Sequence, residues 1–585
     1  SVSVTSTGTT VNMSKAITAS TSVTLLANTA LDTSAAIRAT NGAFSATSTT
    51  SSVTIGGVTG AGTSITISPK TTYDGAGTLT ASAGTLTISG GTSVAPTGAI
   101  QASGAITISG SAAITNATGA TITSSGSSVS VTSTGTTVNM SKAITAATSV
   151  TLLANTALDT SAAISATSGA ISITSTTSSV TLGAATTAGT SLTISPKTTY
   201  DGAGALSAGT TLSISGGTTI SPTGNFTAGG NITMTGSARI TLNNLKTFES
   251  TGGNITITGG TLASTAGGVY VTGANVVTGS GAISITANAS STWGFYVDGN
   301  AKIQSTSGAI SIVGNTPTSV WGGYIAGASV LSDSGAITID TGAGGLVNSY
   351  GVIAEFGSLN SDSTPATGDI TIIADEYWGS STGAKFNTTG DVVIESEASK
   401  FETATTFASH TFKNHSSLRL GSATNAVAMT ISGSVNVAGD YTVYGNAITQ
   451  TAAVTTTNSG NITFDAAGAF SNAGALDAAG GLYITGATTL ESTGSWTANA
   501  AIDIEASGNI STNSVSSITV NTGSLKLNST GGTMTIGKNL SAPGPITLLG
   551  GSTTIGGNVI ASTAGQGILI KSRGYVSFAD NVTIQ

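Results

Sequence analysis

A three-residue word, apolar–small–apolar, returns along this chain at a nearly constant interval. Its first copies are Val2-Ser3-Val4, Val23-Thr24-Leu25, Phe44-Ser45-Ala46, Ile65-Thr66-Ile67, Leu86-Thr87-Ile88, Ile106-Thr107-Ile108 and Val129-Ser130-Val131. The steps between them are 21, 21, 21, 21, 20 and 23 residues. Alternation of apolar and small polar side chains has the period of a β-strand. Gly, Ser and Asn bound each short run, which argues against long helices. A unit of about 21 residues cannot bury a core alone. Stacked units can, each Ile-Thr-Ile lying over the last, with the apolar residues inward and the hydroxyl outward. The interval therefore predicts an all-β fold, a single elongated parallel β-solenoid with short coils. Anchors number 26 along the 585 residues. At one strand spacing per coil, that gives a rod on the order of 125 Å.

A longer period contains the shorter one. SVSVTSTGTTVNMSKAIT begins at Ser1 and returns at Ser128, an offset of 127 residues that holds six short steps. The likeness fades after Ala238, but the word persists. Ile255, Ile283, Ile310, Ile337 and Ile370 open further copies at steps of 28, 27, 27 and 33. Val392, Leu418 and Tyr441 continue less cleanly, and Ile462, Leu482, Ile502, Leu525, Ile546 and Ile568 return to steps of 20 to 23. The chain thus divides into regular coils (1–245), wider coils (246–390), irregular coils (391–440) and regular coils again (441–585). Gly253, Gly281, Gly308, Gly335, Gly368 and Gly460 stand just before strands, at corners that need either positive φ or close stacking. A run of β-sandwiches, with about seven strands per ~100 residues, would not show a step of 21.

Only 7% of residues are charged, and the net charge is −8. Typical soluble proteins carry roughly 25%. No basic patch points to nucleic acid, and no apolar run approaches a membrane-spanning helix. Cysteine is absent, which excludes disulfides and thiolate metal sites and suits export of an unfolded chain. Ser1 opens in mid-repeat and Val576-Ser577-Phe578 carries strand sequence almost to Gln585. Solenoid ends template edge pairing, so the chain is expected to continue, or to pair with a copy of itself, at its ends.

The words GAISI at Gly281 and Gly308, GNITI at Gly253, GDITI at Gly368, GAITI at Gly104 and Gly335, and GNITF at Gly460 resemble those of filamentous-haemagglutinin-type bacterial exoproteins. The resemblance implies a right-handed parallel β-helix and secretion by a two-partner or autotransporter route. It also implies adhesion to cells or surfaces as an extracellular filament, in which an outer-membrane secretion partner takes part. A sheath or S-layer-type coat that assembles from copies of itself is the alternative. A glycan-active solenoid enzyme is a third reading.

Chemistry-bearing residues are few, and neither catalysis, cofactor nor metal is expected. Asp375, Glu376, Asp391, Glu395 and Glu397 with Lys400 are the best analogue of the acidic clusters of solenoid lyases; they read more simply as a solvated acidic face. His410 and His415, with no carboxylate between them, read as surface-loop histidines rather than a metal pair. Outward hydroxyls, as in Ser64-Ile65-Thr66-Ile67-Ser68 and Asn254-Ile255-Thr256-Ile257-Thr258, suggest ice binding. Ice binding needs a flat, regular, two-wide Thr array, whereas Ser284, Asp503 and Lys526 interrupt this rank, so it reads more simply as ordinary solvation of a β-face by small hydroxyls. The wider coils carry the one suggested binding site. They repeat an added arm, Gly268-Val269-Tyr270-Val271, Gly294-Phe295-Tyr296-Val297 and Gly322-Gly323-Tyr324-Ile325. Alternation puts Val269, Val271, Phe295, Val297 and Ile325 inward. Tyr270, Tyr296 and Tyr324 then point out, one above another, with Trp293 and Trp321 just before two of the arms and Trp378 beyond the next coil. Exposed aromatic rows suit a glycan or a docking partner; rings that pack under neighbouring turns would merely widen the core.

Overall fold

The computed structural model describes all residues except 117–119, 244, 262–267, 291–292, 317–320, 349–353, 360–363, 380–382, 398–400, 402–403 and 513–516. Among the described residues there is no helix, and so none long and apolar enough to cross a membrane. The chain forms two compact units, Ser1–Gly260 with Ala274–Val276, and Thr261–Gly273 with Val277–Gln585. Each is a parallel β-solenoid whose coils contribute one strand to each of three sheets. The first coil supplies Val2–Ser6 to the first sheet, Val11–Met13 to the second and Ile17–Ala19 to the third.

The anchor residues fall in one register. Val2 pairs with Val23, Val23 with Phe44, Phe44 with Ile65, Ile65 with Leu86, Leu86 with Ile106 and Ile106 with Val129. The ladder runs on without a slip to Ile255 in the first unit. In the second it runs from Ile283 to Ile568. Strand period two turns each anchor and its i+2 partner inward. Val23, Leu25, Ile65, Ile67, Ile310 and Ile312 are fully buried, while the residue between each pair faces solvent. Full burial of such a side chain contributes about 1.5–3 kcal/mol, and the contribution recurs from coil to coil, save at the half-buried anchors Val2 and Ile568 of the terminal coils.

The corners explain the recurring words. None of Gly253, Gly281, Gly308, Gly335, Gly368 and Gly460 has a positive φ. Close stacking is the reason for glycine instead. A Cβ on Gly308 would lie 2.0 Å from the Gly281 carbonyl oxygen, and one on Gly335 2.2 Å from that of Gly308. The next letter, Asn or Asp, accepts the backbone N–H one coil on: Asn254 N–H donates to Asn231 Oδ1 (2.9 Å), Asp391 N–H to Asp369 Oδ1 (2.8 Å) and Asn461 N–H to Asp440 Oδ1 (2.8 Å). Three residues before Gly308 and Gly335 stands a buried hydroxyl that the sequence reading did not single out. Ser305 Oγ donates to the Gly281 carbonyl (2.9 Å) and accepts from Gly308 N–H (2.8 Å). Ser332 does the same between Gly308 and Gly335, at 3.0 Å in both directions. These two corners therefore satisfy backbone groups that burial would otherwise orphan. Replacing Gly335 with Ala forces two backbones apart and should cost about 1–3 kcal/mol, the usual cost of overpacking. Chemical denaturation reads this out, and an unchanged midpoint would show that the corner yields freely.

The wider coils require one correction. The segments expected to form an added arm are the ordinary second-sheet strands, Val269–Thr272, Phe295–Asp298 and Trp321–Ile325, paired in sequence. The extra length falls in the connections. Six residues separate Asn288 from Phe295, against three between Ala27 and Leu31.

Candidate functional site

Strand alternation sets out the aromatic cluster on the second sheet of the second unit. Val269, Val271, Phe295, Val297 and Ile325 are buried. Tyr270, Tyr296 and Tyr324 alternate with them, face outward and are half-buried, as are Trp293 and Trp321. Register places the three tyrosines directly over one another, Tyr270 against Tyr296 and Tyr296 against Tyr324. Their rings stack, with centroids 5.6 Å apart at 23° and 4.4 Å apart at 5°. Trp293 and Trp321 form a second stack, 5.9 Å apart at 22°. Trp293 joins the two by standing edge-on to Tyr324 (5.3 Å, 70°) and Tyr296 (6.2 Å, 66°).

An irregularity makes this possible. Trp321 and Tyr324 differ by an odd number of residues, so a regular strand would send them to opposite faces. The register shifts between Trp321 and Gly323, and such a bulge re-aims a side chain; both rings end outside. Glycines make room on either side. A Cβ on Gly323 would lie 2.0 Å from the Phe295 ring, and one on Gly345 2.5 Å from Trp321 Cε3.

The stacking decides what the cluster offers. Tyr296 has both faces occupied, by Tyr270 and Tyr324, and Trp321 lies against the Gly345 backbone. Tyr296 therefore offers a ligand its ring edge and phenol hydroxyl, together with Asp298, two residues beyond it on the same face. Burial, and then Asp298 beside it, push the Tyr296 hydroxyl well above its ordinary pKa, so it stays protonated as a hydrogen-bonding group. Asp298 Oδ1 is buried and makes no hydrogen bond. The next position after Tyr324 in this register is Val347, and the one after that is Trp378 on strand Glu376–Gly379; the Trp378 side chain lies outside the described residues.

Two of the other acidic residues that invited a chemical reading have structural partners. Asp391 accepts hydrogen bonds from the Ser416 and Ser417 hydroxyls, and Glu395 pairs with Arg419 at 2.7 Å. Asp375 is buried, and Glu397 has its carboxyl pushed up by burial, then by Asp340 and Asp375. Lys400 lies outside the described residues. Among those described, no three His, Cys, Asp or Glu side chains are grouped to hold a metal ion.

His410 and His415 are not in surface loops: both are core residues, 2% and 0% exposed. His410 sits in a buried relay. Asn348 Nδ2 donates to Tyr377 Oη (2.9 Å), which lies 2.8 Å from His410 Nε2, while His410 Nδ1 donates to the Ala408 carbonyl (2.9 Å). His415 Nδ1 donates to the Thr388 carbonyl (3.1 Å). Burial lowers both imidazoles to about 4. Phe407 and Phe412 pack beside His410. The aromatic residues around these histidines were the available sign of a core position. Compared with known protein families, curated proteins and solved structures, the chain finds no match.

Proposed function

We propose that this chain is an extracellular adhesive solenoid of the filamentous-haemagglutinin-like kind, which grips cell-surface or matrix glycans through the aromatic ridge of its wider coils. The observation that carries the reading is the outward stack of Tyr270, Tyr296 and Tyr324 braced by Trp293 and Trp321. Its exposed rim of hydroxyls and ring edges suits a polyhydroxylated ligand, because tyrosine pairs an apolar body with a polar tip. At its centre the ridge would contact sugars along its rim rather than sandwich them, since both faces of Tyr296 are already occupied. The repeating corners supply stiffness between such contacts, and the reading assigns no catalysis to the chain.

The triple variant Tyr270→Ser/Tyr296→Ser/Tyr324→Ser tests this. It should lose retention on immobilised glycans while keeping the β-sheet circular dichroism of the parent, because the inward core is untouched. Full retention in a folded triple variant would end the assignment of the ridge as the adhesive site.

A further inference from the structure

The first sheet of the first unit presents a surface unlike any other on that unit. Its outward position between each pair of anchors forms one continuous rank from Ser3 to Thr256, paired coil to coil through every step. All thirteen positions of the rank are Ser or Thr. A second rank stands two residues further along each strand, where eleven of thirteen positions are Ser or Thr and the others are Leu26 and Leu153. All twenty-four hydroxyl residues face solvent, and none makes a side-chain hydrogen bond to the protein. No charged residue lies on this face. The unit's charges, among them Asp32, Arg38, Asp74 and Glu249, stand on the second and third sheets or at corners.

We infer that this face binds an ordered water lattice, that is, the surface of an ice crystal. Coil stacking repeats the hydroxyls every ~4.8 Å along the rank, and parallel-strand geometry separates the two ranks by about 6.6 Å. These two repeats approximate those of water oxygens on the faces of hexagonal ice. Thr, being β-branched, holds few χ1 rotamers, so little side-chain freedom is lost on binding. A charged group would instead order water around itself. The face offers no aromatic or Arg anchor for a protein partner and no positive charge for nucleic acid.

The array is not imposed by the fold. In the second unit, the same two ranks hold Glu395, Arg419, Asp465, Tyr483, Asp503 and Lys526. Lys526 there forms an ion pair with Asp503 one coil below, at 3.1 Å. The charged interruptions that argued against ice binding from sequence, Asp503 and Lys526, therefore belong to the second unit, whereas serine alternates with threonine in both.

The full chain tests the inference in an ice-recrystallisation assay. It should arrest crystal growth and facet single crystals. Thr66→Lys/Thr107→Lys/Thr151→Lys should lose that activity, and a lysine is structurally tolerated there, as Lys526 shows at the equivalent position. Thr123→Lys/Thr187→Lys, on the third sheet where Arg38 already stands, should keep it, as should the tyrosine triple variant. A parent chain that leaves ice growth unchanged, or a first-sheet variant as active as the third-sheet one, overturns the inference.

Discussion

Between pH 6.5 and about 4, the coils that hold His410 and His415 should lose about 3 kcal/mol of stability for each imidazole. Both rings are neutral when folded, because burial penalises their charged form. The unfolded chain takes up protons from pH 6.5 downward, whereas the folded chain does so only near 4. The stabilisation is complete above 6.5, fades as pH falls, and has gone below the folded value. Tyr377, which faces His410, is pushed up by burial and stays neutral throughout. Glu397 works the other way, since its raised carboxyl favours protonation of the folded form; that effect is common to parent and variant and cancels in their comparison. Urea midpoints at neutral pH and at pH 4 should therefore converge in His410→Gln/His415→Gln relative to the parent. Amide exchange at Thr411–Lys413 in the parent gives a second reading without any substitution. Equal acid losses in parent and variant would assign the effect to other groups.

Phe386→Ala should cost about 4 kcal/mol, in the range for a buried phenylalanine truncated to alanine. Its ring is 1% exposed and lies between Phe356 and Phe412, with centroids 5.1 Å away on each side and interplanar angles of 17° and 13°. The stack leaves no neighbour free to refill the space, and His410 packs 6.1 Å away on the same ring. Tyr296→Ala removes a ring stacked just as closely but half-exposed, so it should cost roughly 1–2 kcal/mol, the value of the stacking pairs. Denaturation of the two single variants separates them. Equal costs would mean that the outer tyrosine ridge is as much a part of the core as the inner phenylalanine stack.

Much of the fold is legible in the sequence because one physical requirement repeats. Every anchor from Val2 to Val129 must face its counterpart a coil away, so spacing alone gives the register. The glycine corners are half legible: Gly308 and Gly335 announce a constraint, but close approach and positive φ leave the same letter. The Ser305 and Ser332 relays are hidden among many other serines, since burial, which distinguishes them, has no local signature. The outward aim of Tyr270, Tyr296 and Tyr324 follows from alternation. Their mutual stacking does not, because alternation fixes the face on which a ring stands and says nothing of how it turns. His410 and His415 were misplaced because polarity suggested solvent, whereas their neighbours Phe407 and Phe412 mark a core segment.

The uniform offset between paired strands has a kinetic consequence. Paired residues stand about one coil apart in the chain, as Val2 does from Val23 and Ile546 from Ile568. Divided by the 585-residue length, that separation gives a relative contact order of roughly 0.04, at the local extreme of the range over which folding speed varies. Loop closure costs are correspondingly small and nearly equal at every step. Assembly can then proceed in sequence from either direction, each coil docking on the open edge left by its predecessor. No distant segment is needed to complete it.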